Sequence, residues 1–445
     1  MLDPRKLCLA AIAATAIIGC DDGDTDDADM GSAPMGITCE DGVCVVPAGT
    51  YTEDLTFEAA NRYFLDGKVF IGDGTSTTTL TIEAGTTILG RTSAAAPGAL
   101  VIQRNAAIDA QGRADAMIVM TSDQETPAAG NWGGLVINGN APINGCDAAP
   151  CTANGEGDTG LYGGDDPADS SGTLRYVRVE YAGTKLTETS EFNGIAFQGV
   201  GAGTTVEYIQ VHKNADDGVE FFGGTVNVKH VVLTGIEDDS LDWTDGWIGK
   251  AQFVLVRQLD GEGDQGIEAD NNGDNNDLEP RSNPTISNIS LIGVAEADIG
   301  VLLREGTRAS IHNAIVKGFG DGCLALDQSS TFALACTGPD ALTGQLTLEN
   351  VALDCATPFV EPVDGDGNPL TGLACTVEQF FSADADVKGN TTGTITLDGG
   401  WRLPAGSPLL DAGAVPNDAF FDASATFIGA VGATDWTAGW AIGLD

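Results

Sequence analysis

Carboxylates recur in register along the middle of this chain. Asp216-Asp217-Gly-Val-Glu220 is followed by Asp238-Asp239-Ser-Leu-Asp242 and then by Asp264-Gln-Gly-Ile-Glu268-Ala-Asp270. In each copy an acidic turn precedes a small residue, an aliphatic residue and a further acid. If the short segment is a strand, the aliphatic residue points inward and the following acid outward. Glu220, Asp242 and Glu268 then stack about 4.8 Å apart, and each neighbouring pair repels by about 3 kcal/mol at an effective dielectric of about 20. Solvent, protonation or a cation must offset that repulsion. Ca²⁺ suits such a set of hard oxygens, because it accepts about six to eight of them in loose geometry. The candidate metal ligands are therefore Asp216, Asp217, Glu220, Asp238, Asp239, Asp242, Asp264, Glu268 and Asp270. The bland alternative is a row of solvated turn residues that accept local backbone amides.

Two loops, "DNNGDNND" at 270–277 and "DGDGN" at 364–368, are also rich in oxygen, although neither has EF-hand spacing. Lys213 and Arg304 are the basic candidates for proton abstraction by a lyase, and their ordinary role is a salt link to nearby acids. A hydrolase could use carboxylates on neighbouring or alternate rungs, at roughly 5 and 9 Å. Phe222 and Trp247 could stack on a sugar ring or serve as corner packing. His212, His230 and His312 occupy positions that the repeat explains, so a Ser-His-Asp mechanism finds no support.

The elements that must position these groups form a repeat. The pattern apolar, any, Tyr/His/Phe/Asn, apolar, any, apolar begins at Leu174, Val206, Val228, Ala251, Ile286, Ile311 and Leu348. Between these copies lie Gly194-Ile-Ala-Phe, Gly218-Val-Glu-Phe, Ser240-Leu-Asp-Trp, Gly266-Ile-Glu-Ala, Gly300-Val-Leu-Leu and Gly322-Cys-Leu-Ala. Both advance by roughly 20 to 35 residues, one rung of a β-solenoid. The alternation predicts one inward column of Ile195, Val219, Leu241, Ile267, Val301 and Cys323. Asn288, Asn313 and Asn350 fall at equivalent bends, where their amides could bond to one another along the axis. The chain is thus expected to be all-β, a single-stranded right-handed parallel β-helix over 46–400 with a cap at 401–445. It resembles the pectin-lyase-like superfamily. Through "NWGGLVINGNAPIN", "SGTLRYVRVEYAG", "NADDGVEFFGGTVNVKH", "DDSLDWTDGWIGK" and "FIGAVGATDWTAGW" it also resembles a group of bacterial surface lipoproteins and secreted β-helix proteins. That group implies a fold and a location without an established activity. The Gly-His-Gly and Arg-Ile-Lys elements of polygalacturonases are missing.

The ends and the composition supply an address. Arg5 and Lys6 precede an apolar run and Ile17-Ile18-Gly19-Cys20, which reads as a signal peptide over 1–19 and a lipidation site at Cys20. Six aspartates in the next nine residues suit an extended tether within 20–45. A formal charge of -45 repels nucleic acid and anionic membranes, so contact with a membrane is expected only through the anchor. Eight further cysteines fall into the close pairs Cys39/Cys44, Cys146/Cys151, Cys323/Cys336 and Cys355/Cys375, read as local disulfides of an exported protein. Together these features predict a monomeric, Ca²⁺-stabilised protein on the bacterial outer membrane or cell surface. It would bind a polysaccharide or a cell-surface protein, or play a structural role. The alternative is a polysaccharide lyase or glycoside hydrolase on the acidic face.

Overall fold

The computed structural model describes residues 36–444 apart from Ala94, 147–149, 188–189, Asp260, Glu262 and 365–366. The expected signal peptide, Cys20 and the run of aspartates lie outside the described residues. Twenty-five strands form one continuous, almost wholly parallel sheet, the parallel β-helix expected of an all-β chain. No described helix is long and apolar enough to cross a membrane.

Seven long strands carry the first repeat pattern, and each of them bends in the middle. Gly172–Glu180, Thr205–His212, Asn227–Thr234, Lys250–Arg257, Thr285–Ile292, Ala309–Lys317 and Leu346–Asp354 pair in parallel, one rung after another. Their third pattern positions, Tyr176, Tyr208, His230, Phe253, Asn288, Asn313 and Asn350, all have φ between 48° and 62°. This left-handed conformation turns the strand from one wall to the next. Asn adopts it readily, whereas a bulky aromatic residue resists it. Stacking holds the aromatic bends: the ring centroids of Tyr176, Tyr208, His230 and Phe253 follow one another at 4.5, 4.1 and 4.8 Å. Their strands send Leu174, Val177 and Val179, and the equivalent residues on later rungs, into one continuous core.

The short strands form the adjoining wall. Ile195, Val219, Leu241, Ile267 and Val301 stack inward as expected, but the column continues at Leu324 rather than Cys323. The register runs unshifted from Ile299 opposite Gly322 to Val301 opposite Leu324, so Cys323 holds the place of Gly300, one position before the column, and is buried there.

Four disulfides form, two of them between partners other than the expected ones. Cys39–Cys44 and Cys146–Cys151 are local. Cys323 pairs with Cys355, and Cys336 with Cys375, at Cα separations of 5.6 and 6.3 Å. The reason is the solenoid itself. Residues about one rung apart are closer in space than residues half a rung apart, and the Cys323 amide already donates to Thr357 O on the next rung.

Three further expectations change. The solenoid begins at Thr38, inside the stretch assigned to the tether, with an antiparallel hairpin closed by Cys39–Cys44. Two of the three bend asparagines bond to the C-terminal segment: Asn288 donates to Phe427 O, and Asn313 donates to Ala414 O while accepting from its amide. Residues 401–444 accordingly run back along a flank, covering Val232, Leu255 and the aromatic bends, and do not close the open end. That end is packed instead by the helix Val377–Ser382, whose Phe380 and Phe381 join the core.

Candidate metal-binding trough

The outward column of the short-strand wall runs Thr50, Phe70, Val101, Val136, Ala196, Glu220, Asp242, Glu268, Leu302, Ala325 and Val360. Within it three successive rungs carry acid, and the rungs on either side are apolar. The apolar stretch from Val101 to Ala196 is roofed by Phe192 and Leu186. Beyond that roof the wall opens into a trough of about 450 Å³. Ten carboxylates and one guanidinium, Arg304, line it among the described residues.

Glu220, Asp242 and Glu268 form the floor. The turns before their strands raise Asp217, Asp239 and Gln265 one above another along one side. Each of these side chains accepts the backbone amide of its counterpart one rung on: Asp239 N donates to Asp217 Oδ1 at 3.1 Å, Gln265 N to Asp239 Oδ1 at 2.8 Å and Ile299 N to Gln265 Oε1 at 3.3 Å. One oxygen of Asp217 and one of Asp239 therefore serve the fold, as the bland reading requires of turn acids. Asp216, Asp238 and Asp264 complete that side, and Glu156, Glu191 and Phe222 complete the lining.

The floor is neutralised at one end only. Arg304 pairs with Glu268 and also donates from Nε to Asp270, 2.9 and 3.1 Å from its two oxygens. Glu220 accepts from Asn193 Nδ2 at 2.5 Å. Asp242 Oδ1 and Asp264 Oδ1 are buried with no hydrogen-bond partner, and so is Asn193 Oδ1 beside Glu220. Burial first, and then Asp242, raise the carboxyls of Asp217 and Glu220 well above the ordinary range; burial and then Asp239 do the same to Asp242. Burial also pushes Asp216 and Asp239 up to about 8, Asp270 to about 9 and Glu156 to about 7.

Carboxylate oxygens of Asp217, Glu220 and Asp242 all lie within 4.8 Å of one another, as do those of Asp238, Asp239 and Asp264 and those of Asp216, Asp217 and Asp238. Close hard oxygens, several of them buried and without donors, fit a divalent cation.

The remaining candidates separate. Phe222 lines the trough, whereas Trp247 is fully buried, stacked on Phe221 at 3.9 Å with its indole N–H on Val226 O, so it has no face for a ligand. Lys213 directly follows the strand Thr205–His212, with its amide on Thr234 O, outside the ring of lining residues. In the 270–277 loop Asn271 donates to the carbonyls of Asn276 and Leu278, and Arg281 donates to Asn276 O and Asp277, so several loop oxygens are already committed. The loop at 364–368 falls partly outside the described residues. Asn193 and Gln265 were overlooked in the sequence although they hold the place of Asp217 and Asp239, directly before the small residue. Glu156 and Glu191 come from irregular connections that no repeat marks.

Residues 49–441 match the family model of the pectate-lyase like beta helix domain. The chain belongs to that family. No curated protein and no solved structure matches it. For this member of the pectate-lyase-like β-helix family, four disulfides place the folded chain in an oxidising, extracytoplasmic compartment.

Proposed function

We propose that this β-helix is a lipid-anchored envelope protein, tethered through Cys20, that binds a divalent cation in its acidic trough and uses that face to hold a surface polysaccharide or a cell-surface protein. One observation carries the reading: Asp242 Oδ1, buried between Glu220 and Glu268, has no donor although its neighbours are acids. Asp217, Glu220 and Asp242 would hold the cation, and Ca²⁺ matches their hard, loosely arranged oxygens. When bound, the cation supplies positive charge that a ligand oxygen can share. Phe222 adds an aromatic side chain to the lining, and Arg304 fixes the far end of the floor by holding Glu268 and Asp270.

A polysaccharide lyase or glycoside hydrolase is the second reading, favoured by the rim carboxyl of Glu156, which burial and then Glu191 raise to about 7, within reach of general acid–base work. Binding is the stronger reading because Arg304 is engaged by two carboxylates and Lys213 lies outside the trough. Retention of the protein on a panel of polysaccharides, with and without Ca²⁺, decides between the two. Ca²⁺-dependent retention lost in Phe222→Ala, with no chain cleavage, supports binding. Cleavage lost in Glu156→Gln supports the enzyme, and neither effect leaves a structural protein.

A further inference from the structure

The chain has three histidines, none of them in the trough, and all three face the C-terminal segment. Gly443 sits so close to His212 that a Cβ on it would stand 2.9 Å from the ring. His230 lies in the aromatic column between Tyr208 and Phe253, with Trp436 against it at 5.0 Å. His312 and Glu349 line a cavity of about 400 Å³ that residues 414–418 and Phe421 close.

The segment is held by spaced polar clamps. Gln210 both donates to Ile442 O and accepts from Ile442 N, and Asn313 does the same with Ala414. Ser290 accepts the Ala430 amide, and Lys229 donates to Phe420 O. Between the clamps Trp436 and Trp440 cover the bends.

We propose that residues 401–444 form an acid-releasable strap: protonation of His212 and His230 detaches it from the flank while the solenoid stays folded. His230 Nδ1 is buried without a partner, so a proton placed there has no acceptor. Lys229 and Arg175 oppose the added charge, and Asp422 of the strap favours it. His212 Nδ1 bonds Thr234 Oγ1 at 2.8 Å, and that oxygen accepts from Gln210 Nε2 at 3.2 Å. A proton on His212 therefore competes for the oxygen that steadies the Gln210 clamp. Lys213 and Arg178 oppose charge on His212, and Glu180 favours it.

Burial above all holds both imidazoles down to about 4. Docking contributed by a depressed histidine is complete above the free value near 6.5 and is lost as pH falls towards 4. His312 differs, because Glu349 lies 3.3 Å from its Nδ1 and would receive a proton's charge; Lys388 opposes it, and Lys250 and Asp418 line the same cavity. It is not a driver. Release would uncover the stacked rings from Tyr176 to Phe253.

Hydrogen exchange on the full-length chain, corrected for intrinsic rate, tests this at pH 7.5 and 4.5. The expected result is at least a tenfold loss of protection confined to 401–444 at the lower pH, with apolar-dye binding. The double variant His212→Asn, His230→Phe should lose most of that response, and each single variant should lose part of it, which keeps the test decisive if the double variant fails to fold. Equal protection at both pH values, loss spread evenly over strap and strands, or an unchanged response in the variants would overturn the proposal.

Discussion

Asp242 and Glu268 are register neighbours on adjacent rungs, yet Arg304 neutralises only Glu268. The two carboxylates share one wall, one orientation and one solvent trough, and they differ in that Asp242 is left with a buried, donorless oxygen.

Without a cation the trough should make stability fall as pH rises. Carboxyls whose folded values lie above their unfolded values, such as Asp216 and Asp239 at about 8 against an ordinary 3.8, bind more protons folded than unfolded between those limits. In chelator, Tm should therefore decline from pH 5 towards pH 8, and saturating Ca²⁺ should flatten the decline. Calorimetric scans across that range check it; a chelated protein whose Tm rises with pH would contradict the account of these acids.

Arg304→Gln should destabilise the chain at neutral pH by on the order of 2 kcal/mol, less than a fully buried pair would lose because the guanidinium is about one-third exposed. Urea unfolding measures the loss. Ca²⁺ should recover part of it, since Glu268 and Asp270 then become available oxygens.

The rung architecture was legible because hydrophobic alternation and the bend residue repeat together: seven copies of one pattern place Tyr176 to Asn350 in one column and leave little freedom for the wall between them. The acid floor followed from the same alternation. What the pattern could not show was closure across rungs. Cys323 and Cys336 are near neighbours along the chain, yet a solenoid brings Cys323 to Cys355 instead. Trp247 stayed open between ligand stacking and corner packing for a similar reason, since its place near the acids along the chain says nothing about which side of the wall its ring takes; the ring packs in the core. The C-terminal segment carries no repeat at all, and its path along the flank is set by Gln210, Asn288 and Asn313 many rungs away.

Trp247→Ala and Phe222→Ala should therefore separate. The first empties a core position and should cost about 3 to 5 kcal/mol. The second should leave Tm within about a degree or two and weaken ligand retention. Paired Tm and retention measurements read both, and retention lost in Trp247→Ala at unchanged Tm would contradict the burial of that ring.

Non-reducing peptide maps should recover Cys323 linked to Cys355 and Cys336 linked to Cys375. Peptides linking Cys323 to Cys336 would contradict the rung-to-rung closure. Reduction should loosen the C-terminal rungs first, because both long-span bridges lie there.

The most direct measurement is the thermal midpoint of residues 30–445 against Ca²⁺ concentration, with Mg²⁺ and chelator controls and Asp242→Asn beside the native sequence. A ligand held by the folded state alone must raise stability in proportion to its occupancy. The account predicts a saturable rise of several degrees with Ca²⁺, a smaller one with Mg²⁺, and a weakened response in Asp242→Asn. A midpoint indifferent to Ca²⁺, or an equal rise in the variant, would contradict the metal-binding trough.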